Sequence, residues 1–386
     1  VSSPAESVTS AGVRTKAVVG RDVAVLGGTL LLWFVVTALA ARSVGLSPWP
    51  TATWGRWDTG LYLSIADKGY EFVPCVGVAN RGPGDFCGNS GWFPGYPYLM
   101  RLGSWFGPNL DTAGRLISFV AMLVAWSALW FGFLRRRAFV AGMLGMAVAA
   151  VFPSSVYYGA IFPISTMLAA VMLALVCLDR QRWLLAGLCG AVAAVVYPSG
   201  VLIGSIAIVP FTTLAIGDVR ARVRATVAVA APVALAYMAV LANFQRAVGA
   251  WDAWYKTSAS YNLEPTFPLE MIRRQVEKMG NDAQPGIIGV QTLLIAAMVL
   301  AAVWIVVTQH HELTLGERGA AVLCVFLWLI PLTLGGDLSL YRAESLLLPI
   351  VILLSRLRMP VVAMLAVVCV PVAYKMAQLF FDATLI

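Results

Sequence analysis

Arg56-Trp57-Asp58-Thr59-Gly60-Leu61-Tyr62-Leu63-Ser64-Ile65-Ala66-Asp67-Lys68-Gly69-Tyr70 follows shortly after the first membrane-length apolar run, Val23 to Ala41, and leads to Trp92-Phe93-Pro94-Gly95-Tyr96-Pro97. Around this polar, aromatic segment the chain is 60% hydrophobic and only 12% charged, with a mean hydropathy of +0.81. Such a chain is too apolar for a water-soluble core and uses lipid as part of its solvent. Counted at about 20 apolar residues per crossing, it reads as an all-α polytopic membrane protein. The expected spans are 23–41, 113–134, 138–152, 164–178, 183–196, 200–214, 226–242, 287–308, 319–334, 345–354 and 361–381, about 11 in all, within a single membrane domain, 21–386. Prolines at 153, 163, 198, 210, 232, 331, 349 and 371 predict broken helices, whose freed backbone groups neighbouring protein must satisfy.

Charge sets an expected orientation. With residues 1–20 as a disordered cytoplasmic lead and 23–41 as an uncleaved anchor, the cytoplasmic side receives 14 of the 27 basic residues and 6 of the 19 acids. The whole +8 then lies on that side. The bases fall in scattered short loops, including Arg135-Arg136-Arg137, so the charge reports topology and gives no argument for nucleic acid. Two long segments remain outside, 42–112 and 243–286, and loops of that length usually carry function. Cys75 and Cys87 fall in the first of them, where an oxidising compartment would permit a disulfide; the other four cysteines sit in apolar spans. The two histidines, His310 and His311, lie across the membrane from these loops and suggest no metal site.

As a helix, the first loop places Trp54, Asp58, Tyr62 and Ile65 along one side, with Asp67 on the opposite side. Two carboxylates flanking one bond, as in glycosidases, are therefore not expected. One carboxylate suits the removal of a proton from a hydroxyl that attacks a sugar already bearing a good leaving group. The bland alternative for Asp58 is a helix cap.

These residues resemble a family. Arg-Trp-Asp-x-x-x-Tyr-Leu-x-Ile-Ala-x-x-Gly-Tyr (56–70) and Phe-Pro-Gly-Tyr-Pro (93–97) are similar to the first-loop signature of the phosphatidylinositol-glycan class V mannosyltransferases and their bacterial relatives, in the GT-C superfamily. Fainter echoes run through Phe152-Pro153-Ser154-Ser155 and 339–349. The resemblance implies a GT-C-like enzyme of a bacterial plasma membrane, with its N-terminus cytoplasmic and its site outside. It would move mannose from a polyprenyl-phosphate donor to a glycolipid or lipid-linked glycan acceptor with inversion. It makes Asp58 the catalytic base and Arg342 a partner of the donor phosphate. No cofactor is required, and a divalent metal stays open. The chain departs from the family at Ile164, where an acid is frequent, and at Tyr197-Pro198, where Arg-Pro is frequent.

Arg273, Arg274 and Lys278 are further candidates for the donor phosphate, or else a solvated helix face with Glu270 and Glu277. Arg56, Trp57, Tyr62, Tyr70, Phe93, Tyr96 and Asp252 are candidates for sugar or acceptor contacts, although interfacial aromatics more often anchor a protein to lipid. The rival readings are a transferase using polyprenyl-phosphate arabinose or glucose, a noncatalytic subunit of a glycan assembly complex, and a lipid or glycan transporter. The last would show a repeat and ionisable groups within spans, which are scarce here.

Overall fold

The computed structural model describes residues 4–76, 82, 84–260, 265–280, 286–335 and 340–385. Parts of the expected outer loops 42–112 and 243–286, and of the turn around Ser339, lie outside these residues. The α-helices in chain order are α1 (Pro4–Ser43), α2 (Thr59–Lys68), α3 (Gly95–Ser104), α4 (Leu110–Gly132), α5 (Phe139–Ala150), α6 (Ile164–Asp179), α7 (Trp183–Val196) and α8 (Ile208–Thr212). They continue as α9 (Val219–Val248), α10 (Ala253–Ala259), α11 (Pro268–Glu277), α12 (Ile287–Gln309), α13 (Leu315–Thr333), α14 (Leu340–Ser345), α15 (Ile350–Leu354) and α16 (Met359–Phe381). The stretch 4–20, expected as a disordered lead, is drawn as the start of α1.

Among the described residues, six helices are long and apolar enough to cross a membrane: the 19–43 part of α1, α4 with its extension to Arg136, α9, α12, α13 and α16. The other expected spans take shorter forms. α5, α6 and α7 have 12, 16 and 14 residues, which at 1.5 Å per residue gives roughly 18 to 24 Å, less than a hydrocarbon core of about 30 Å. The expected span 200–214 is a 3-10 helix (Pro198–Ala207) followed by α8, and 345–354 is divided between α14 and α15. Proline is one cause, since it removes an N–H and closes the α region to the residue before it.

Because α5 and α6 are short, the turn between them lies inside the bundle: residues 151–172 are all buried. Irregular backbone is tolerated there only when protein satisfies it, and this turn is heavily bonded. Trp33 Nε1 donates to Ser155 O (2.9 Å), Ser118 Oγ to Phe162 O (3.0 Å) and Ile161 N to Trp54 O (3.1 Å). Gly159 permits a close approach here; a Cβ would overlap the Trp33 ring. Small residues act likewise in the α7–α9 contact, where a Cβ on Gly187 would run into Ala228 O.

One end of the bundle collects the basic residues expected on the cytoplasmic side. Arg135 pairs with Asp22 (2.8 Å) and Arg136 with Asp179 (2.6 Å). Buried Glu317 takes Arg137 and Arg356 (2.9 Å) together while closing a capping box with Thr314 at the start of α13. At the other end, the outer segments pack on each other. Strand β1 (Phe72–Pro74) pairs antiparallel with β2 (Phe86–Gly88), a disulfide joins Cys75 to Cys87, and Ser90 hydrogen-bonds Thr257 of α10 (2.7 Å). Phe93, Phe244 and Ala253 form a separate apolar cluster beneath them.

Replacing Glu317 with Ala leaves two guanidiniums without their shared partner, so thermal unfolding should reveal a loss of about 3 kcal/mol or more; a change under about 1 kcal/mol would contradict the lock. Intact-mass analysis of alkylated protein should find Cys75 and Cys87 unlabelled unless reduced first, whereas labelling of both without reduction would remove the bridge.

Candidate active site

Between α1 and α2 the chain makes a short 3-10 turn, Thr51–Trp54, and then places Asp58 just ahead of α2. Thr59 fixes this position. Its hydroxyl accepts from Arg56 N (3.1 Å) and donates to Ile161 O (3.2 Å), so the segment is tied to the buried α5–α6 turn. Trp57 has φ +51, a conformation that L side chains rarely adopt. Asp58 makes no side-chain cap for α2, so the bland alternative does not hold. Its Oδ2 instead forms an ion pair with Nη1 of Arg342 in α14, 284 residues away.

Both partners are partly covered, with side chains 21% and 18% exposed for Asp58 and Arg342. The Arg342 guanidinium faces the Phe162 ring (6.0 Å to its centroid). Tyr341, Tyr157 and Tyr197 stand around it. Burial works against its charge, but the Asp58 carboxylate outweighs burial and holds Arg342 above the usual guanidinium range. Burial also raises the phenols of Tyr62, Tyr157, Tyr197 and Tyr341, so each presents a neutral hydroxyl. The pair therefore comprises one carboxylate and one permanent cation within an aromatic, hydroxyl-bearing wall.

The remaining candidates divide. Arg56 reaches Phe381 O (3.3 Å) and Gly55 O (3.2 Å), tying the Asp58 segment to α16. Trp57 is half-buried against the main core. Tyr62 is buried edge-on to Tyr96 and Phe162, centroids 5.5 and 5.9 Å away. Tyr96 donates to Gly114 O (2.9 Å) and contacts Ser118, which makes it a packing group. Tyr70 donates to Trp92 O (2.9 Å) and Phe93 is buried in the cluster with Phe244, so both belong to the frame of the outer segments. Asp252 pairs with Lys256 (3.1 Å).

Arg273 and Arg274 pair with Glu270 at 2.9 and 3.3 Å on the exposed face of α11; Lys278 lies in the turn that follows. Hydrogen bonding from Arg273 holds the Glu270 carboxyl below the usual range. A cleft of about 900 Å³ runs beside α2, lined by Gly60, Ser64, Asp67, Lys68, Arg101 and Asp111. Neither Asp58 nor Arg342 lines it, so the cleft and the charged pair are separate features.

Sequence reasoning missed Tyr157, Tyr341, Gln291 and Glu344. The available signals were Glu344 beside an apolar run and Gln291 near the start of an apolar helix. Arg115 was also missed; its guanidinium stacks over Trp54, 3.7 Å from the ring centroid, beneath the Asp58 segment.

At the sequence level no family profile and no curated protein matches the chain. Its fold does have counterparts. The apo oligosaccharyltransferase of Archaeoglobus fulgidus superposes over 94% of this chain with TM-score 0.51 and 13% identity. The same organism's oligosaccharyltransferase AglB, in complex with an inhibitory peptide and a dolichol-phosphate, superposes over 92% with TM-score 0.50 and 12% identity. The chain shares its fold with these oligosaccharyltransferase structures. It spans 56% and 55% of those two structures, a little over half their length.

Thr59→Val keeps the side chain's shape and deletes both hydrogen bonds, so it should cost about 1–2 kcal/mol and raise amide exchange across residues 54–62. Unchanged exchange there would contradict the anchoring role of Thr59.

Proposed function

We propose that the protein is a membrane glycosyltransferase of the inverting type that takes mannose from a polyprenyl-phosphate donor and gives it to a lipid-linked glycan on the extracytoplasmic face. The observation that carries this reading is the contact between Asp58 and Arg342. General base and leaving-group partner face one another in the resting site, and inversion requires them to part so that the anomeric carbon stands between them. The GT-C-like fold, shared with an oligosaccharyltransferase whose structure includes a dolichol-phosphate, supports a lipid-linked donor.

In the proposed reaction the donor phosphate meets the Arg342 guanidinium, which suits phosphate oxygens in a bidentate manner. That contact draws Arg342 away from Asp58 and frees the carboxylate. Asp58 then accepts the proton of the acceptor hydroxyl as its oxygen attacks the anomeric carbon, and the bond from that carbon to the phosphate oxygen breaks. The polyprenyl phosphate departs with its new charge balanced by Arg342. Half-buried Tyr197 offers a hydroxyl and a ring face to the sugar, while Tyr157 and Tyr341, fully buried, back the pair. No nucleotide sugar or cofactor enters the scheme. Mannose follows from the resemblance of the 56–70 and 93–97 segments; the sidedness follows from the basic residues gathered at the opposite end and from the disulfide, which suits an oxidising compartment.

Purified Asp58→Asn should lose transfer from polyprenyl-phosphate mannose on the order of 100-fold or more at unchanged abundance. Retention of near wild-type transfer would exclude the proposed base. Offered in parallel, polyprenyl-phosphate glucose or arabinose should be poor donors and GDP-mannose alone should support no transfer; preference for one of them would reassign the donor.

A further inference from the structure

Arg342 sits on α14, a helix of six residues, too short to be stable by itself. Its orientation therefore depends on what grips the helix. Ser345 Oγ donates to Arg342 O (2.6 Å), and Tyr158 Oη donates to Ser345 O (2.8 Å) from the buried turn. The other grip comes from α12. Gln291, fully buried near its start, donates through Nε2 both to Tyr341 O (3.1 Å) and to Glu344 Oε2 (2.7 Å). Its Oε1 accepts from Ser154 Oγ (2.7 Å), and Ser154 is itself in the left-handed region with φ +59.

Glu344 stands two residues after Arg342, about 200° around the helix, so the two side chains project to opposite sides. One meets Asp58 and the other is buried against α12, 2% exposed, with Thr292 beside it. Among the described residues no cation pairs with Glu344. A carboxylate ion there would be costly, and burial pushes its carboxyl up to about 7. The proposed reaction assigns no role to this acid.

We infer that Gln291 and Glu344 are positioning residues, which grip the rear of α14 so that the Arg342 guanidinium faces Asp58 and the incoming donor phosphate. The inference rests on the reading of Arg342 given above. The chain Ser154–Gln291–Glu344 ties α14 to the same turn that holds Thr59 and hence Asp58. Both members of the charged pair are thereby referred to one buried frame, and the grip uses hydrogen bonds without needing a charge on Glu344.

The test uses the full chain in nanodiscs with two readouts. Amide exchange in residues 342–346 should speed by about tenfold in Gln291→Met and Glu344→Ala; unchanged exchange in both overturns the grip, whatever the reaction proves to be. In transfer assays Glu344→Ala should lower kcat/KM for the polyprenyl-phosphate donor by about tenfold or more, whereas the neutral Glu344→Gln should stay within about threefold of wild type. In an Arg342→Ala background Glu344→Ala should add less than about twofold, because the two residues act through one another. Fully multiplying losses, or Glu344→Gln as damaging as Glu344→Ala, would overturn the positioning role. If Glu344→Ala fails to accumulate, Gln291→Met decides, and wild-type exchange with wild-type kcat/KM overturns the inference. A wild type without donor activity whose variants still show accelerated exchange would sink the assigned reaction while sustaining the grip.

Discussion

A polar turn buried in an apolar bundle has to find all its hydrogen-bond partners within the protein, and the Phe152–Pro163 turn imposes that requirement on everything around it. Buried throughout, its backbone recruits Trp33, Trp54, Thr59 and Ser118, while its own Ser154 and Tyr158 side chains reach Gln291 and Ser345. The partners belong to five different parts of the chain. Satisfying the turn therefore brings α1, the Asp58 segment, α4, α12 and α14 to one point. Rigidity at the candidate site is a consequence of low dielectric surroundings, where leaving a polar group unpaired is expensive.

In the same surroundings a single acid and a single guanidinium suffice for the chemistry proposed above. Asp58 and Arg342 neutralise each other across a partly covered gap. In the proposed reaction an anionic phosphate competes for Arg342 and thereby exposes the carboxylate to an acceptor hydroxyl, so that geometry couples base and leaving-group stabiliser. The tyrosines around them cannot usurp either role, since burial keeps their phenols neutral.

The membrane class was plain from hydropathy, and the long helices α4, α9, α12 and α16 stand near their expected places because periodicity does not matter when a helix is apolar all round. The shortening of α5, α6 and α7 was not legible, since apolar length alone does not tell how deep a turn sits. Asp58 was readable because a carboxylate is rare in this chain. Its partner was readable only as an arginine in a resembling segment; that the two touch depends on contacts 284 residues apart. Arg273 and Arg274 looked equally suitable for phosphate from composition, and their pairing with Glu270 follows from helical spacing, which the same segment also displayed. Tyr62, Tyr96 and Phe93 were drawn toward sugar contacts by their motif, yet an aromatic packs readily in an apolar interior. Gln291 escaped notice because one polar residue in a greasy helix has no periodic pattern around it, and Glu344 because its burial depends on the packing of α14 against α12.

The most direct test is a cryo-electron-microscopy structure of the protein in nanodiscs with a non-hydrolysable polyprenyl-phosphate sugar. The account predicts the lipid phosphate in contact with Arg342, the anomeric carbon between that phosphate and Asp58, and the Asp58 carboxylate open to an approaching hydroxyl. A phosphate seated elsewhere, with Asp58 and Arg342 still locked together and no sugar beside them, would contradict it.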